Sequence, residues 1–165
     1  MYEAVREAAL DVTPRIFETM FYTSLVPPEL CRHDIPLLFA PPVLQSEIGF
    51  LGKYTGKLRL SLPLGLAKKM TVNFMGLADD SKVAESQTLD AIGELCNIIC
   101  GNLFPGINRK TSHVLTIPQT RFVSSEEADA PASEPGFALD FVAEGHRVRL
   151  DIRLDTNSKK MRRLR

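Results

Sequence analysis

The sequence predicts an α+β fold, with one largely antiparallel sheet, a few helices on its buried face and one long central helix. Three observations carry this expectation. Apolar residues recur with a helical period near residues 5–20, 64–75 and 90–103, and alternate with a period of two near 48–62 and 137–154. The paired strand signals are separated by short turns rather than crossover helices, which favours antiparallel neighbours. The order is helix, hairpin, two helices, then strands.

The first helix runs through Val5, Ala8, Ala9, Val12, Ile16 and Met20. Thr13-Pro14 leaves two readings open: a new start with Thr13 as cap, or a kink in one long helix. Five prolines at 27, 28, 36, 41 and 42 predict irregular or edge structure across residues 26–46. Ile48 and Phe50, then Leu58, Leu60 and Leu62, alternate as strands around a turn at Lys53–Gly56. A second helix covers Leu64 to Met75 and stops at Gly76. Asp79, Asp80 and Ser81 offer caps for the central helix, which reaches about Asn102 and is stopped by Phe104-Pro105-Gly106. Strand signals follow at Val114–Ile117 and around Phe122. The acidic, Pro-containing stretch 124–136 is expected to be an exposed loop. Phe137, Leu139 and Phe141 alternate, as do Val148, Leu150, Ile152 and Leu154, with Glu144-Gly145 as a tight hairpin turn between them.

The 165-residue length suits one domain, expected over residues 1–155, followed by a basic tail at 156–165. Lys159, Lys160, Arg162, Arg163 and Arg165 supply five of the twenty basic residues; without them 15 basic face 20 acidic. A body of that sign is a poor partner for nucleic acid, and the tail reads as a solvated, mobile end rather than a membrane or nucleic-acid anchor. No apolar run is long enough to span a bilayer, and the N-terminus lacks a secretory layout, so a cytoplasmic setting is expected. Cys31, Cys96 and Cys100 form no disulfide framework. Cys96 and Cys100 share a helical flank, but His33, His113 and His146 are scattered singly. Buried reduced thiols and no metal site are therefore expected.

The central helix reads D-A-I-G-E-L-C-N-I-I-C-G-N from Asp90 to Asn102. At 100° per residue, Gln87, Asp90, Glu94, Asn97 and Gly101 share one face, while Ile92, Leu95, Cys96, Ile99 and Leu103 share the other. Glycine costs a helix about 1 kcal/mol against alanine, so its presence beside a carboxylate and an amide suggests that something approaches closely. Ile98, at the edge of the polar face, is a candidate apolar contact with a partner. Asn102 suits a cap as well as a binding role.

Asp90-x3-Glu94-x2-Asn97, with Gly93, Gly101 and Asn102 around it and Pro118 beyond, resembles the CheC/CheX family of chemotaxis phosphatases, closest to the CheX-like branch. The Leu66–Met70 helix after a Leu-rich strand, and the opening helix with Val12 and Ile16–Met20, extend the resemblance from about residue 4 to residue 154. Pro118 follows Asn97 with twenty residues between, a little closer than in the family; the shift is read as an indel after Ile107 that leaves the site untouched. Members with two sites carry a second Glu/Asn helix. Here the counterpart Glu18 is followed three residues later by Phe21, so one site is expected.

The resemblance implies hydrolysis of the phosphoaspartate of a CheY-like response regulator. Asn97 would position the attacking water, and Glu94 would dock on the receiver's lysine. Asp90, Ile98 and Gly101 would contact the partner. The protein would need no cofactor of its own, because Mg²⁺ belongs to the receiver. Homodimer formation through a sheet edge at 137–154 is possible, with Arg147, Arg149 and Arg153 available to pair across that edge or to blunt it. A non-catalytic binding module for a response regulator or motor component is the alternative.

Overall fold

The computed structural model describes residues 2–31, 38–79, 82–107, 112–131 and 135–155. The tail expected at 156–165 lies outside them, as do Asp80 and Ser81. Helix α1 spans Tyr2–Phe21, followed by a 3-10 turn at Pro28–Leu30. Strands β1 (Val43–Gly52) and β2 (Gly56–Pro63) form a hairpin that leads into α2 (Leu64–Met75). Helix α3 occupies Glu85–Ile107. Strands β3 (His113–Leu115) and β4 (Gln119–Val123), the short helix α4 (Ser125–Asp129), and strands β5 (Gly136–Ala143) and β6 (His146–Leu154) complete the chain. This is the α+β arrangement with an antiparallel sheet and a long central helix.

All described strand pairings are antiparallel, in the order β3-β1-β2-β6-β5, with β4 also on β1. Alternation decides which face is buried. Ile48, Phe50, Leu58, Leu60, Leu62, Val148, Leu150, Ile152 and Leu154 are buried and join a single cluster with α1, α2 and α3. Two glycines are required by geometry. A Cβ at Gly56 would lie 1.9 Å from the Arg153 carbonyl oxygen, so only glycine lets β2 approach β6 there. Glu144 and Gly145 both have positive φ (48° and 79°), the hairpin turn expected between β5 and β6.

Several expectations need correction. Helix α1 is continuous through Pro14, which removes the reading of a new start. Thr13 is no cap; it is buried within the helix and its hydroxyl has no partner. The proline-rich stretch gives way at Val43 to β1, an interior strand, because Val43, Leu44, Gln45 and Ser46 are covered on both sides. Helix α3 starts at Glu85, six residues after Asp79. Gln87 caps it instead, its Oε1 accepting the Ala84 N–H at 2.8 Å. It then runs past Phe104-Pro105 to Ile107, since the Phe104 side chain is buried in the core and holds that last turn.

The stretch 124–136 is also more than a loop. Ser124 caps α4 through the Glu127 N–H at 3.0 Å, and Ala128 packs with Phe39 and Val43 on the outer face of the sheet. This strap is tied down by arginines expected at an edge. Strand β6 is interior, and Arg147 and Arg149 are buried. Arg149 donates to the Asp129 and Ala130 carbonyls at 3.3 and 3.0 Å and to Asp151, while Arg147 pairs with Asp140 and Asp129. Only β5 of this hairpin is an edge strand, and Val26 bridges it at Val142.

Candidate functional site

Helix α3 fixes the site by the way it buries its other side. Ile92, Leu95, Cys96, Ile99, Cys100 and Leu103 are fully buried, and the Cys96 thiol points at the Ser46 carbonyl of β1. Burial pushes the Cys100 thiol up to about 12 and Cys96 higher still, so both act as small apolar groups. Among the described residues no group of three or more His, Cys, Asp or Glu is placed to hold a metal.

With that face committed, Asp90, Glu94 and Gly101 are exposed along the opposite ridge and Asn97 is half-buried on it. Ile98 is half-buried at its edge, packed against the core. Among the described residues, Asp90, Glu94 and Asn97 have no hydrogen-bond or ion-pair partner. The Asn102 amide, by contrast, is occupied: it donates to the Ile98 carbonyl at 2.8 Å. The helix carries Glu85, Asp90 and Glu94 but no basic residue, so the ridge is negative apart from its amide.

A groove of about 350 Å³ runs beside the ridge, lined by Leu89, Asp90, Gly93, Glu94, Pro118 and Thr120. Gly93 makes it possible. A Cβ there would sit 3.2 Å from Thr120 Oγ1 and 3.7 Å from Pro118 Cβ. Pro118 therefore stands in the groove wall beside Asp90 and Glu94. Thr120 carried no sequence signal, being one polar residue in a short strand; its hydroxyl donates to Ser46 Oγ at 3.0 Å.

Beyond Asn97, Gly101 faces Leu115, whose Cδ1 would be 3.8 Å from an added Cβ. An aromatic cluster pins β3 to this end of α3. The rings of Phe104 and His113 stack at 4.0 Å, and the Tyr54 N–H donates to His113 Nε2 at 3.2 Å. On α1, Glu18 is exposed, but Phe21 is buried and stacked on Phe74 at 4.7 Å. A second carboxylate–amide pair is absent from that helix.

Residues 45–142 match the family described as chemotaxis phosphatase CheX. A comparison with curated proteins finds no match. Among solved structures, the chemotaxis protein CheX of Vibrio vulnificus is similar, with a TM-score of 0.71, 15% identity, and 92% of this chain and 96% of that one covered. A CheC-like superfamily protein from Shewanella sp. PV-4 gives 0.66 at 17% identity, covering 92% and 97%. The Borrelia burgdorferi CheX–CheY–BeF3–Mg²⁺ complex gives 0.62 at 15% identity, covering 91% and 97%.

Proposed function

The chain belongs to the chemotaxis phosphatase CheX family, and from that premise we propose that it accelerates hydrolysis of the phosphoaspartate of a CheY-like receiver domain. One observation carries the reading: Glu94 and Asn97 stand one turn apart on a solvent-facing ridge with their hydrogen-bonding groups unclaimed. The Borrelia relative, solved in complex with CheY, supports the choice of partner.

The chemistry divides between the two side chains. An anionic acyl phosphate repels carboxylates, so the group that reaches it must be neutral. The Asn97 amide both donates and accepts hydrogen bonds without charge. It can hold a water in line with phosphorus, which is most of what catalysis of phosphoryl transfer requires. Glu94 stands where a cation is wanted and takes the receiver's lysine. That pair becomes desolvated on docking, so it contributes chiefly register and specificity. Asp90 reinforces the negative end of the ridge, Ile98 contributes apolar surface at its edge, and Gly101 keeps the flank low enough for close contact. The receiver's own Mg²⁺ supplies charge neutralisation at the phosphoryl group. In the same reading, two copies pair through an outer sheet edge such as β5, since β6 is interior.

The test is decay of a panel of phosphorylated receivers with wild type and with Asn97→Ala. The variant should lose acceleration by on the order of a hundredfold while still binding the receiver. Unchanged turnover in Asn97→Ala would sink the catalytic assignment. Binding by wild type with no acceleration of any receiver would identify a binding module instead.

A further inference from the structure

Immediately before Pro118, which lines the groove, the chain leaves an exposed apolar side chain that the proposed mechanism gives no role. Ile117 is 86% exposed, although it lies in a segment with fixed geometry. On one side of it, Thr116 is clamped to β1: its N–H donates to the Gly49 carbonyl at 2.9 Å, and its Oγ1 accepts the Gly49 N–H at 2.8 Å. On the other, Pro118 lines the groove with Glu94, Gln119 pairs with Glu47, and Thr120 is bonded to Ser46. An isoleucine held rigidly in water gains nothing for the fold.

We infer that Ile117 is an apolar anchor that positions the phosphorylated receiver on the α3 ridge. The inference rests on the phosphatase reading above and adds a specificity-determining residue to it. The physical need is plain. Glu94, Asp90 and Asn97 must all be stripped of water on docking, and such groups supply register more than affinity. Affinity in protein interfaces comes from a few apolar or aromatic anchors surrounded by contacts that exclude water. Ile117 adjoins the groove wall, and its backbone is already ordered, so little conformational freedom is lost when it is covered. The receiver surface it meets is therefore apolar and lies next to the lysine taken by Glu94.

Steady-state hydrolysis of a phosphorylated receiver by Ile117→Ala, Ile117→Asp and Ile117→Leu tests this, with Asn97→Ala as the reference. Full burial of an isoleucine predicts a rise in KM of roughly tenfold or more for Ile117→Ala, larger for Ile117→Asp. The rate at saturation and the melting temperature should hold, and Ile117→Leu should restore KM. A KM unmoved by Ile117→Asp, or a fall confined to kcat, overturns the inference while leaving the phosphatase reading in place. So does a change from dimer to monomer at unaltered KM, which would assign this side chain to a second copy of the chain. If wild type accelerates no receiver, the phosphatase reading falls and the anchor with it.

Discussion

Replacing Gly101 by alanine separates what the helix wants from what its partner wants. Gly101 lies well inside α3 and is exposed; the nearest atom to an added Cβ is Leu115 Cδ1 at 3.8 Å, an ordinary contact. Nothing resists the methyl group, so the variant should gain the full helix propensity difference, about 0.8–1.0 kcal/mol. For a chain of this size that raises the melting temperature by roughly 2–4 °C. Gly93→Ala should gain less or nothing, because its Cβ would press to 3.2 Å from a Thr120 hydroxyl already bonded to Ser46. On the docking face the same Gly101 methyl lifts the receiver by about 1 Å, and where in-line attack is needed such a displacement costs on the order of a hundredfold. Melting curves and receiver-phosphate decay on the same preparations measure both effects. A melting temperature that fails to rise refutes the helix argument. One that rises with kcat/KM intact refutes close approach at Gly101.

The buried ionic layer and the aromatic cluster give two further expectations. Arg149→Met leaves the Asp151 carboxylate, which burial already raises above the usual range despite its arginine partner, without compensation, and frees the Asp129 and Ala130 carbonyls. Urea denaturation should record a loss of about 3–5 kcal/mol, much of it recovered in the Arg149→Met/Asp151→Leu double variant; a loss below 1 kcal/mol would contradict the role of the strap. His113 is held below its ordinary pKa by burial, with one ring nitrogen accepting from Tyr54 and the other without a partner. Below about pH 6.5 the unfolded chain therefore binds more protons than the folded one, and stability falls as pH drops toward the lowered folded value. His113→Gln should flatten that part of the stability–pH curve, whereas an unchanged slope would place its origin elsewhere.

Much of this was legible in the residues because periodicity is a local property. The alternation at Leu58–Leu62 and Val148–Leu154, the stop at Gly76 and the Glu144-Gly145 turn each follow from neighbours in sequence, and so does the split of α3 into an apolar face and the Asp90–Glu94–Asn97–Gly101 stripe. The resemblance to the CheX family rested on the same stripe. Local rules failed where distant contacts outweighed them. Pro105 read as a stop and Pro14 as either a new start or a kink in one long helix, yet packing of Phe17 and Phe104 into the core carries each helix past its proline.

The amino-acid order alone determined which residues could share a face, because side-chain direction along a helix or strand repeats over a few positions. Only the tertiary structure decided what stands opposite those faces: that β6 is interior and its arginines buried, that Pro118 and Thr120 wall the groove beside Glu94, and that Ile117, the residue before Pro118, is left in water. Such neighbours are set by strand order and by the path of the chain between elements, and no window of adjacent residues encodes them.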